Sequence, residues 1–332
     1  MQYGLTPTIP LLPDSRHNGW CVLAIWVGFI LTIGEERSKF IEINVGSEVR
    51  AVTFSANGEY LVSGNDYVVR VWRVEEGKQV ANMDTGKVSC LAVSDDGKWI
   101  AAGTYGGDVF AWDATTYKQV LKWHSESVSP VHGADFSPDS ARLALATKET
   151  ATVWDLATRK QVRVLSHEHY VIAAKYSPQG DRIATATRNG PVHVWDGNNG
   201  RLLVKVKVEV SLWWNKGLLW FNDHLLVVSE GKIKELDVST RPTVSIWPVS
   251  NSNHHYSDIA LSKHTEFISC STHRSLTLWD TSTHTQFNVL QHPQAIRSIA
   301  FSPDDRFLAI GGEGGKIIIE RLSRSTVSSV SW

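Results

Sequence analysis

The chain has 332 residues, 42% of them hydrophobic, and its 33 basic and 34 acidic side chains give a formal net charge of −1. This composition is that of a globular protein, and the near-zero charge offers no single-sign field that would attract nucleic acid or an anionic membrane. The three cysteines, Cys21, Cys90 and Cys270, are far apart and odd in number. They argue against a disulfide framework or a zinc site and favour a reducing, intracellular compartment.

The first distinct segment is an uncharged apolar stretch at residues 19–34. Its length of about sixteen residues is below the roughly twenty that a helix needs to cross a bilayer. The Pro-rich sequence before it and the lack of a small-residue cleavage pattern also make it a poor signal peptide. Three interpretations stay open: a degenerate strand or disordered hydrophobic arm, a membrane anchor, or a removed signal. We expect this arm to occupy residues 1–34 and a folded domain to occupy residues 35–332.

After this arm the sequence repeats with a period of about forty residues. The tryptophans that close a short apolar strand are Trp72, Trp112, Trp154, Trp195 and Trp279. The steps between them are 40, 42, 41 and 84 residues, and the double step divides at Leu236. A further step of 41 residues leads to Glu320, so the chain contains seven units. A period of this length is typical of supersecondary units that share a core with their neighbours, and these five tryptophans are predicted to be structural.

Each unit is predicted to contain four short strands. The first ends in an aromatic residue, Ser and a polar turn, as in the Phe-Ser-Pro-Asp sequences at residues 136–139 and 301–304. Proline followed by Asp or Gly presets the backbone of such a turn. The second strand is small and apolar, the third ends at the tryptophan position, and the fourth follows another polar turn. Because no 3.6-residue period interrupts this pattern, it indicates an all-β radial array of seven antiparallel sheets.

A ring of sheets needs a strand that joins its two ends. Residues 40–43 alternate in the manner of a fourth strand and precede the first complete unit, whereas the last unit ends its third strand at Glu320. We therefore predict that residues 40–43 complete the last sheet and cover its exposed edge. The competing candidate is the segment at residues 326–330, and only one of the two can take this place.

The Trp-Asp strand ends and the Phe-Ser-Pro-Asp turns resemble those of WD-repeat β-propellers, over residues 40 to about 322. The resemblance implies a seven-bladed β-propeller of four-stranded antiparallel blades, closed by an N-terminal strand. It also implies a hydrogen-bond network of His, Ser or Thr, Asp and Trp inside each blade. Here every network is expected to be incomplete; blade four offers His167, Thr187 and Trp195 but has Asn189 in the Asp position. Stability should therefore depend on apolar packing.

The sequence contains no convincing catalytic, metal or cofactor site. The thirteen histidines show no metal-ligand spacing supported by Cys or carboxylates. The aspartates of the Trp-Asp pairs are expected to serve turns. The glycines at residues 311–315 lead into a strand instead of a helix, so they form no phosphate loop. We predict no catalytic residue, no metal and no cofactor, although a nucleophile and a histidine could still meet in space.

The resemblance implies that partners bind on one face, built from the loops that lead into each blade and from those that join the second and third strands. The candidate binding residues on this face are Tyr105, Trp123, Lys148, Arg188, Trp213, Trp214, Tyr256 and Arg274. Aromatic and arginine side chains are the usual anchors of protein interfaces. Consecutive strand residues point to opposite faces, so Trp213 and Trp214 cannot easily share one core. The alternative is that one of them is core and the other lies on a neighbouring blade.

We predict a non-catalytic scaffold in the cytoplasm or nucleus, which binds a protein or peptide on the loop face and supports the assembly of a complex. Nucleic acid is not expected as a partner. One alternative is a membrane-tethered propeller, which requires that residues 19–34 insert into a bilayer. Another is an enzyme or small-ligand binder that uses the central channel, which would need carboxylates or histidines that converge on the axis.

Overall fold

The computed structural model describes residues 40–124, 129–208, 217–229, 232–239, 242–247, 258–264 and 266–322. In these ranges the secondary structure consists of 28 β-strands, arranged in seven four-stranded sheets in which every pairing is antiparallel. All these ranges belong to one compact unit that starts at Phe40. The arm predicted at residues 1–34 lies outside the described residues. A search of the described part of the chain for a bilayer-spanning helix finds none that is long and apolar enough.

Six blades are built from four consecutive strands. Blade 1 contains β2 (Ala51–Phe54), β3 (Tyr60–Gly64), β4 (Val68–Arg73) and β5 (Lys78–Asp84). Blade 2 contains β6 (Val88–Val93), β7 (Trp99–Thr104), β8 (Asp108–Asp113) and β9 (Gln119–His124). Blade 3 contains β10 (Gly133–Phe136), β11 (Arg142–Ala146), β12 (Thr150–Asp155) and β13 (Lys160–Ser166). Blade 4 contains β14 (Val171–Tyr176), β15 (Arg182–Thr187), β16 (Val192–Asp196) and β17 (Leu202–Val206).

The remaining blades follow the same order, and only the last one combines the two ends of the domain. Blade 5 contains β18 (Leu218–Phe221), β19 (His224–Ser229), β20 (Lys232–Asp237) and β21 (Thr243–Ile246). Blade 6 contains β22 (Asp258–Leu261), β23 (Phe267–Ser271), β24 (Ser275–Asp280) and β25 (Thr285–Gln291). Blade 7 contains β26 (Ile296–Phe301), β27 (Phe307–Gly312), β28 (Lys316–Arg321) and β1 (Ile41–Asn44).

The first strands of the blades surround a common axis. Each contacts the first strand of the next blade, in the order β2, β6, β10, β14, β18, β22, β26 and back to β2. The hydrophobic clusters lie in the seams between blades; the cluster that joins blades 7 and 1, for example, contains Ile43, Trp72, Ile317 and Ile319. Burying apolar surface in every seam is the main stabilising contribution expected for such a ring.

The ring is closed by the N-terminal strand, as predicted. β1 pairs antiparallel with β28, and Ile41 lies opposite Ile319 while Ile43 lies opposite Ile317. The side chain of Ile43 is only 3% exposed, so it is part of the core and not a loose extension. The backbone N–H of Val45 continues the contact by donating to the carbonyl oxygen of Gly315 at 2.7 Å. The competing segment at residues 326–330 lies outside the described residues.

The tryptophan position is equivalent in all seven blades. The opposing pairs of the second and third strands are Leu61 and Trp72, Ile100 and Trp112, Leu143 and Trp154, Ile183 and Trp195, Leu225 and Leu236, Ile268 and Trp279, and Leu308 and Glu320. In the five blades that carry a tryptophan, the register of the fourth strand shifts directly before the indole. In blades 5 and 7 the register is regular. The β-bulge therefore accompanies the large side chain, as bulges that re-aim a residue do.

Blade 4 contains a chain of buried hydrogen bonds that ends at its tryptophan. The indole Nε1 of Trp195 donates to Thr185 Oγ1 at 2.9 Å, and the same hydroxyl lies 2.8 Å from His167 Nε2. His167 Nδ1 lies 2.9 Å from the carbonyl oxygen of Leu165. A neutral imidazole with its proton on Nδ1 satisfies every partner in this chain, because Nε2 must then accept from the threonine. Burial agrees with this assignment, since it lowers the pKa of His167 to about 4.

The expectation that Thr187 supplies this hydroxyl was wrong. Thr185 is two residues beyond Ile183, which lies opposite Trp195, and therefore faces the indole from the same side of the sheet. Thr187 is the last residue of β15, and its hydroxyl donates to the carbonyl oxygen of Pro191 at 2.8 Å in the following turn. Two residues along the strand are enough to move a side chain from the blade interior to the loop.

Candidate protein-interaction surfaces

The loop face is the end of the ring that carries the loops leading into each blade and the loops between second and third strands. Four of the predicted binding residues lie in loops of the second kind: Tyr105, Lys148, Arg188 and Arg274. Trp123 is the penultimate residue of β9. Trp213, Trp214 and Tyr256 lie outside the described residues. The binding role of all eight stays a prediction.

A network of ion pairs spans blades 7 and 1 on the loop face. Glu48, between β1 and β2, accepts hydrogen bonds from Arg50 and from Arg297, whose Nε lies 3.0 Å from Glu48 Oε1. Arg50 Nε also pairs with Asp66 Oδ1 at 3.2 Å, and Arg297 pairs with Glu313. Networks of several charges hold their geometry better than isolated surface pairs. These ion pairs hold the side chains of this part of the rim against one another.

Tyr105 sits beside this network between two cations. Arg50 Cζ and Lys87 Nζ each lie 5.6 Å from the centre of its ring, within the range of a cation–π interaction. Burial raises the pKa of the Tyr105 hydroxyl and outweighs the nearby charge of Arg50, which lowers it. Tyr67, in the corresponding loop of blade 1, is 72% exposed. One tyrosine is thus fixed by charges while its neighbour presents an aromatic ring to solvent.

A second group of cationic and aromatic residues lies on blades 3 and 4. Lys148 Nζ is 5.9 Å from the centre of the Tyr170 ring. The backbone N–H of Arg188 donates to the carbonyl oxygen of Tyr170 at 2.8 Å, which fixes the two loops together. Burial lowers the pKa of His132, and the charge of Arg188 lowers it further. The loops of blades 3 and 4 therefore present basic side chains on an ordered backbone.

Trp123 packs in the seam between blades 2 and 3. Its ring stacks on Trp154 with 4.9 Å between centroids and 28° between planes. Together with Lys148 and Thr152 the two indoles line a cavity of about 570 Å³. Trp154 Nε1 donates to Thr152 Oγ1 at 3.2 Å. The sequence did not indicate this stacking, because the two tryptophans belong to different blades.

The central channel has a volume of about 260 Å³ and is lined by first strands of all seven blades. Lys175, which is one of the lining residues, forms an ion pair with Asp135, with 2.8 Å between Nζ and Oδ1. Burial lowers the pKa of the Lys175 ammonium, but the charge and hydrogen bond of Asp135 outweigh it, and the pKa is raised. The sequence does not indicate this pair, because the first strands meet only in the closed ring.

Two carboxylates on first strands are engaged by the backbone of the next blade. Asp135 Oδ2 accepts from the backbone N–H of Tyr176 at 2.9 Å, and Asp258 Oδ2 accepts from that of Ile299 at 2.9 Å. First strands form one edge of each sheet, so their outward N–H groups need such partners. These side chains therefore tie adjacent blades together at the axis. No group of three or more His, Cys, Asp or Glu that could hold a metal ion is found among the described residues.

The aspartates of the Trp-Asp pairs serve turns, as predicted. Asp155 Oδ1 accepts from the backbone N–H of Thr158 at 2.7 Å, and Asp196 Oδ1 accepts from that of Asn199 at 3.0 Å. These backbone hydrogen bonds are the main cause of the lowered pKa of both carboxyls. A carboxylate held ionised in a turn is a poor general acid.

The sequence model of the IFT122 first β-propeller matches residues 48–321 of the chain. Periodic tryptophan protein 2 of Arabidopsis thaliana is 29% identical over 168 residues, which are 48% of this chain and 18% of that protein. Small ribosomal subunit protein RACK1y of Oryza sativa subsp. japonica is 29% identical over 160 residues, 44% of this chain and 47% of that protein. The chain thus spans less than half the length of both relatives.

Two solved structures share the fold. The β-propeller domain of Cps50 (Swd1) from Myceliophteria thermophila superposes with a TM-score of 0.74 at 20% identity and covers 85% of this chain and 100% of that domain. Kuenenia stuttgartiensis hydrazine synthase gives a TM-score of 0.75 at 14% identity, with 84% and 96% covered. One of these is a synthase by its name, so the likeness shows the fold alone.

Proposed function

Because the chain belongs to the IFT122 first β-propeller family and is a WD-repeat β-propeller, we propose that it is a non-catalytic scaffold. It binds a protein or peptide on the loop face and supports the assembly of a complex. The observation that carries this proposal is the ion-pair network of Arg297, Glu48, Arg50 and Asp66 beside the exposed ring of Tyr67.

An ordered rim lowers the entropic cost of binding. A partner that meets side chains already fixed by ion pairs does not have to immobilise them, so more of the contact energy appears as affinity. An exposed tyrosine adds a large contact area at low rotamer cost. The relative RACK1y is by its name a small ribosomal subunit protein, which agrees with a role inside a larger assembly.

The test is affinity purification with loop-face variants, followed by mass spectrometry. Tyr67→Ala, Lys148→Glu and Arg188→Glu should each weaken capture of the specific partners about tenfold or more, because each removes a contact or reverses a charge at the rim. Lys118→Glu is the matched control, since Lys118 is an exposed residue in the turn between β8 and β9 at the opposite end of blade 2.

A set of partners that all three loop-face variants retain at wild-type level would contradict the proposal. Treatment with ribonuclease separates the alternatives further. Partners that disappear after this treatment would show binding through RNA instead of protein. The melting temperature of each variant is measured in parallel, so that loss of a partner is not confused with loss of the fold.

The same proposal places the protein in the cytoplasm or nucleus and keeps residues 1–34 as an arm distinct from the propeller at residues 35–332. Fractionation of the full chain and of a variant without residues 1–34 tests this division. We expect both to distribute alike. Membrane association that depends on residues 1–34 would support the tethered alternative.

A further inference from the structure

A groove on the outer rim between blades 4 and 5 has a volume of about 630 Å³. We call it the outer groove. Its apolar lining includes Leu203 and Val204 from β17 and Val238 from the loop that follows β20. It lies at the outermost strands, whereas the network around Glu48 lies on blades 7 and 1. The outer groove is therefore a surface separate from the loop-face network.

The charge of the outer groove is one-sided. Among the described residues that line it, three are basic and none is acidic; the basic ones are Arg182, Arg201 and Lys205. The whole chain has a formal charge of −1, so this local excess of positive charge is not a general property of the surface. Three cations around an apolar floor favour a guest with carboxylates on either side of aliphatic groups.

The contacts that these cations make outside the groove are weak. Arg182 Nε lies 3.5 Å from Asp181 Oδ2, and Lys205 Nζ lies 3.6 Å from Glu168 Oε2. Both carboxylates are well exposed, with side-chain exposures of 53% and 80%. Solvent-exposed pairs at such distances contribute little to stability. A carboxylate of a partner can replace them at little cost.

Aliphatic side chains continue beyond the groove along the rim. Leu202 of β17 and Val244 and Ile246 of β21 are each between 42% and 55% exposed. Every residue of β21 is exposed. β17 and β21 are the outermost strands of their sheets, so one edge of each has no partner strand in its own blade. Such an edge can pair with the backbone of an extended peptide.

We propose that the outer groove binds an extended, acidic segment of a partner protein. The aliphatic side chains of this segment lie against Leu203 and Val238, and the carboxylates of the segment face Arg182, Arg201 and Lys205. Exposed aliphatic side chains next to the cations distinguish this guest from RNA, which would require aromatic stacking platforms along a basic surface. The propeller can then hold one partner on the loop face and a second one on its rim.

Selection of random 12-residue peptides by display on the full chain tests the proposal. Enriched sequences should combine at least two acidic residues with aliphatic ones. Fluorescence anisotropy of the labelled peptides should show at least tenfold weaker binding to the triple variant Arg182→Glu, Arg201→Glu, Lys205→Glu. The corresponding triple Gln variant, which keeps side-chain size, should give an intermediate loss. Raising the salt concentration from 50 to 200 mM should weaken wild-type binding severalfold.

Matched controls separate this surface from the rest of the molecule. Lys78→Glu and Lys160→Glu reverse exposed charges on the fourth strands of blades 1 and 3, and both should leave peptide binding unchanged. Tyr67→Ala and Arg188→Glu should also leave peptide binding unchanged. A failure of the outer-groove proposal can therefore be distinguished from a failure of the loop-face proposal. Enrichment of peptides without acidic residues, or equal binding to wild type and both triple variants, would overturn the proposal. Tighter, charge-dependent binding of single-stranded oligouridine at the same residues would overturn it in favour of nucleic acid.

Discussion

Blades 4 and 6 both bury a tryptophan on the third strand, but the surroundings of the two indole N–H groups differ. In blade 4 the buried indole of Trp195 donates to Thr185, which is hydrogen-bonded to His167. In blade 6 the position of Thr185 is taken by Cys270, two residues beyond the partner of Trp279 in the strand register. Trp279 is 0% exposed, and its Nε1 has no hydrogen-bond partner among the described residues. The ring therefore accepts both a polar and an apolar blade centre.

What replaces the missing network in blade 6 is packing from the neighbouring blade. The ring of Trp247, which follows β21, lies 6.5 Å from that of Trp279 and 4.3 Å from that of His284. Trp247 Nε1 donates to Glu235 Oε2 at 3.1 Å. The polar contact is thus made by the indole next to the seam, while Trp279 contributes apolar area. Seam packing, and not the network inside a blade, is the feature that blades 4 and 6 share.

Acid should unfold blade 4 in preference to blade 6. Burial lowers the pKa of His167 and of His193 from 6.5 to about 4, so both imidazoles are neutral in the folded state. The unfolded chain binds protons below about pH 6.5, so stability is complete above that pH and is lost as the pH falls towards 4. At about 1.4 kcal/mol per pKa unit, the lowered pKa values correspond to a contribution of a few kcal/mol that belongs to the interacting pair of imidazoles.

Urea unfolding between pH 7 and pH 4 measures this effect. The His193→Phe variant should lose about half of the pH dependence, because one neutral imidazole is removed and an apolar ring fills its place. Hydrogen exchange corrected for the intrinsic rate should show that the loss of amide protection at low pH lies in residues 167–206. If the unfolding free energy of the variant depends on pH as strongly as that of the wild type, these histidines do not cause the dependence.

Thr185→Val should break the network of blade 4. The change keeps the shape of the side chain but leaves both Trp195 Nε1 and His167 Nε2 without a partner, so we expect a loss of about 2 to 3 kcal/mol in unfolding free energy. Thr187→Val is the matched control, because it removes a single hydrogen bond, to Pro191, and should cost about 1 kcal/mol. Equal losses in the two variants would mean that the network adds nothing beyond one bond.

Cys270→Ser should move blade 6 towards blade 4. In blade 1 a serine at the equivalent position, Ser63, accepts from Trp72 Nε1 at 2.8 Å, and the same bond should form with Trp279. We expect a gain of about 1 kcal/mol in unfolding free energy. Cys90→Ser is the control: Cys90 lies on a first strand, with its sulfur 3.5 Å from the carbonyl oxygen of Val131, and should give no gain. A larger loss of unfolding free energy in Cys270→Ser than in Cys90→Ser would contradict this prediction.

The features that follow from periodicity could be predicted from the sequence. Equal spacing placed Leu236 and Glu320 at the tryptophan position, and the unpaired third strand of the last unit identified residues 40–43 as its partner. Features that depend on where blades meet could not be predicted. The stacking of Trp123 on Trp154, the pairing of Lys175 with Asp135 and the outer groove each join residues of two blades. Their relative placement is decided by tertiary packing, which a repeat pattern does not report.

The assignment of Thr187 failed for a different reason. Both Thr185 and Thr187 lie on β15 and point to the same side of the sheet, so strand alternation cannot separate them. Only the register, in which Ile183 lies opposite Trp195, decides which hydroxyl the indole reaches. The same register identifies Ser63 and Cys270 as its counterparts in blades 1 and 6.

The closing strand also sets an order of events during synthesis. β1 is synthesised before the other strands of the propeller that the structure describes, but its partner β28 is complete only after six other blades have been made. At about 5 to 20 residues per second, this delay is on the order of tens of seconds. Until then both ends of the growing chain carry strand edges that chaperones can bind. A chain interrupted before Lys316 keeps β1 unpaired. A stalled ribosome would therefore present an unclosed ring to the quality-control machinery.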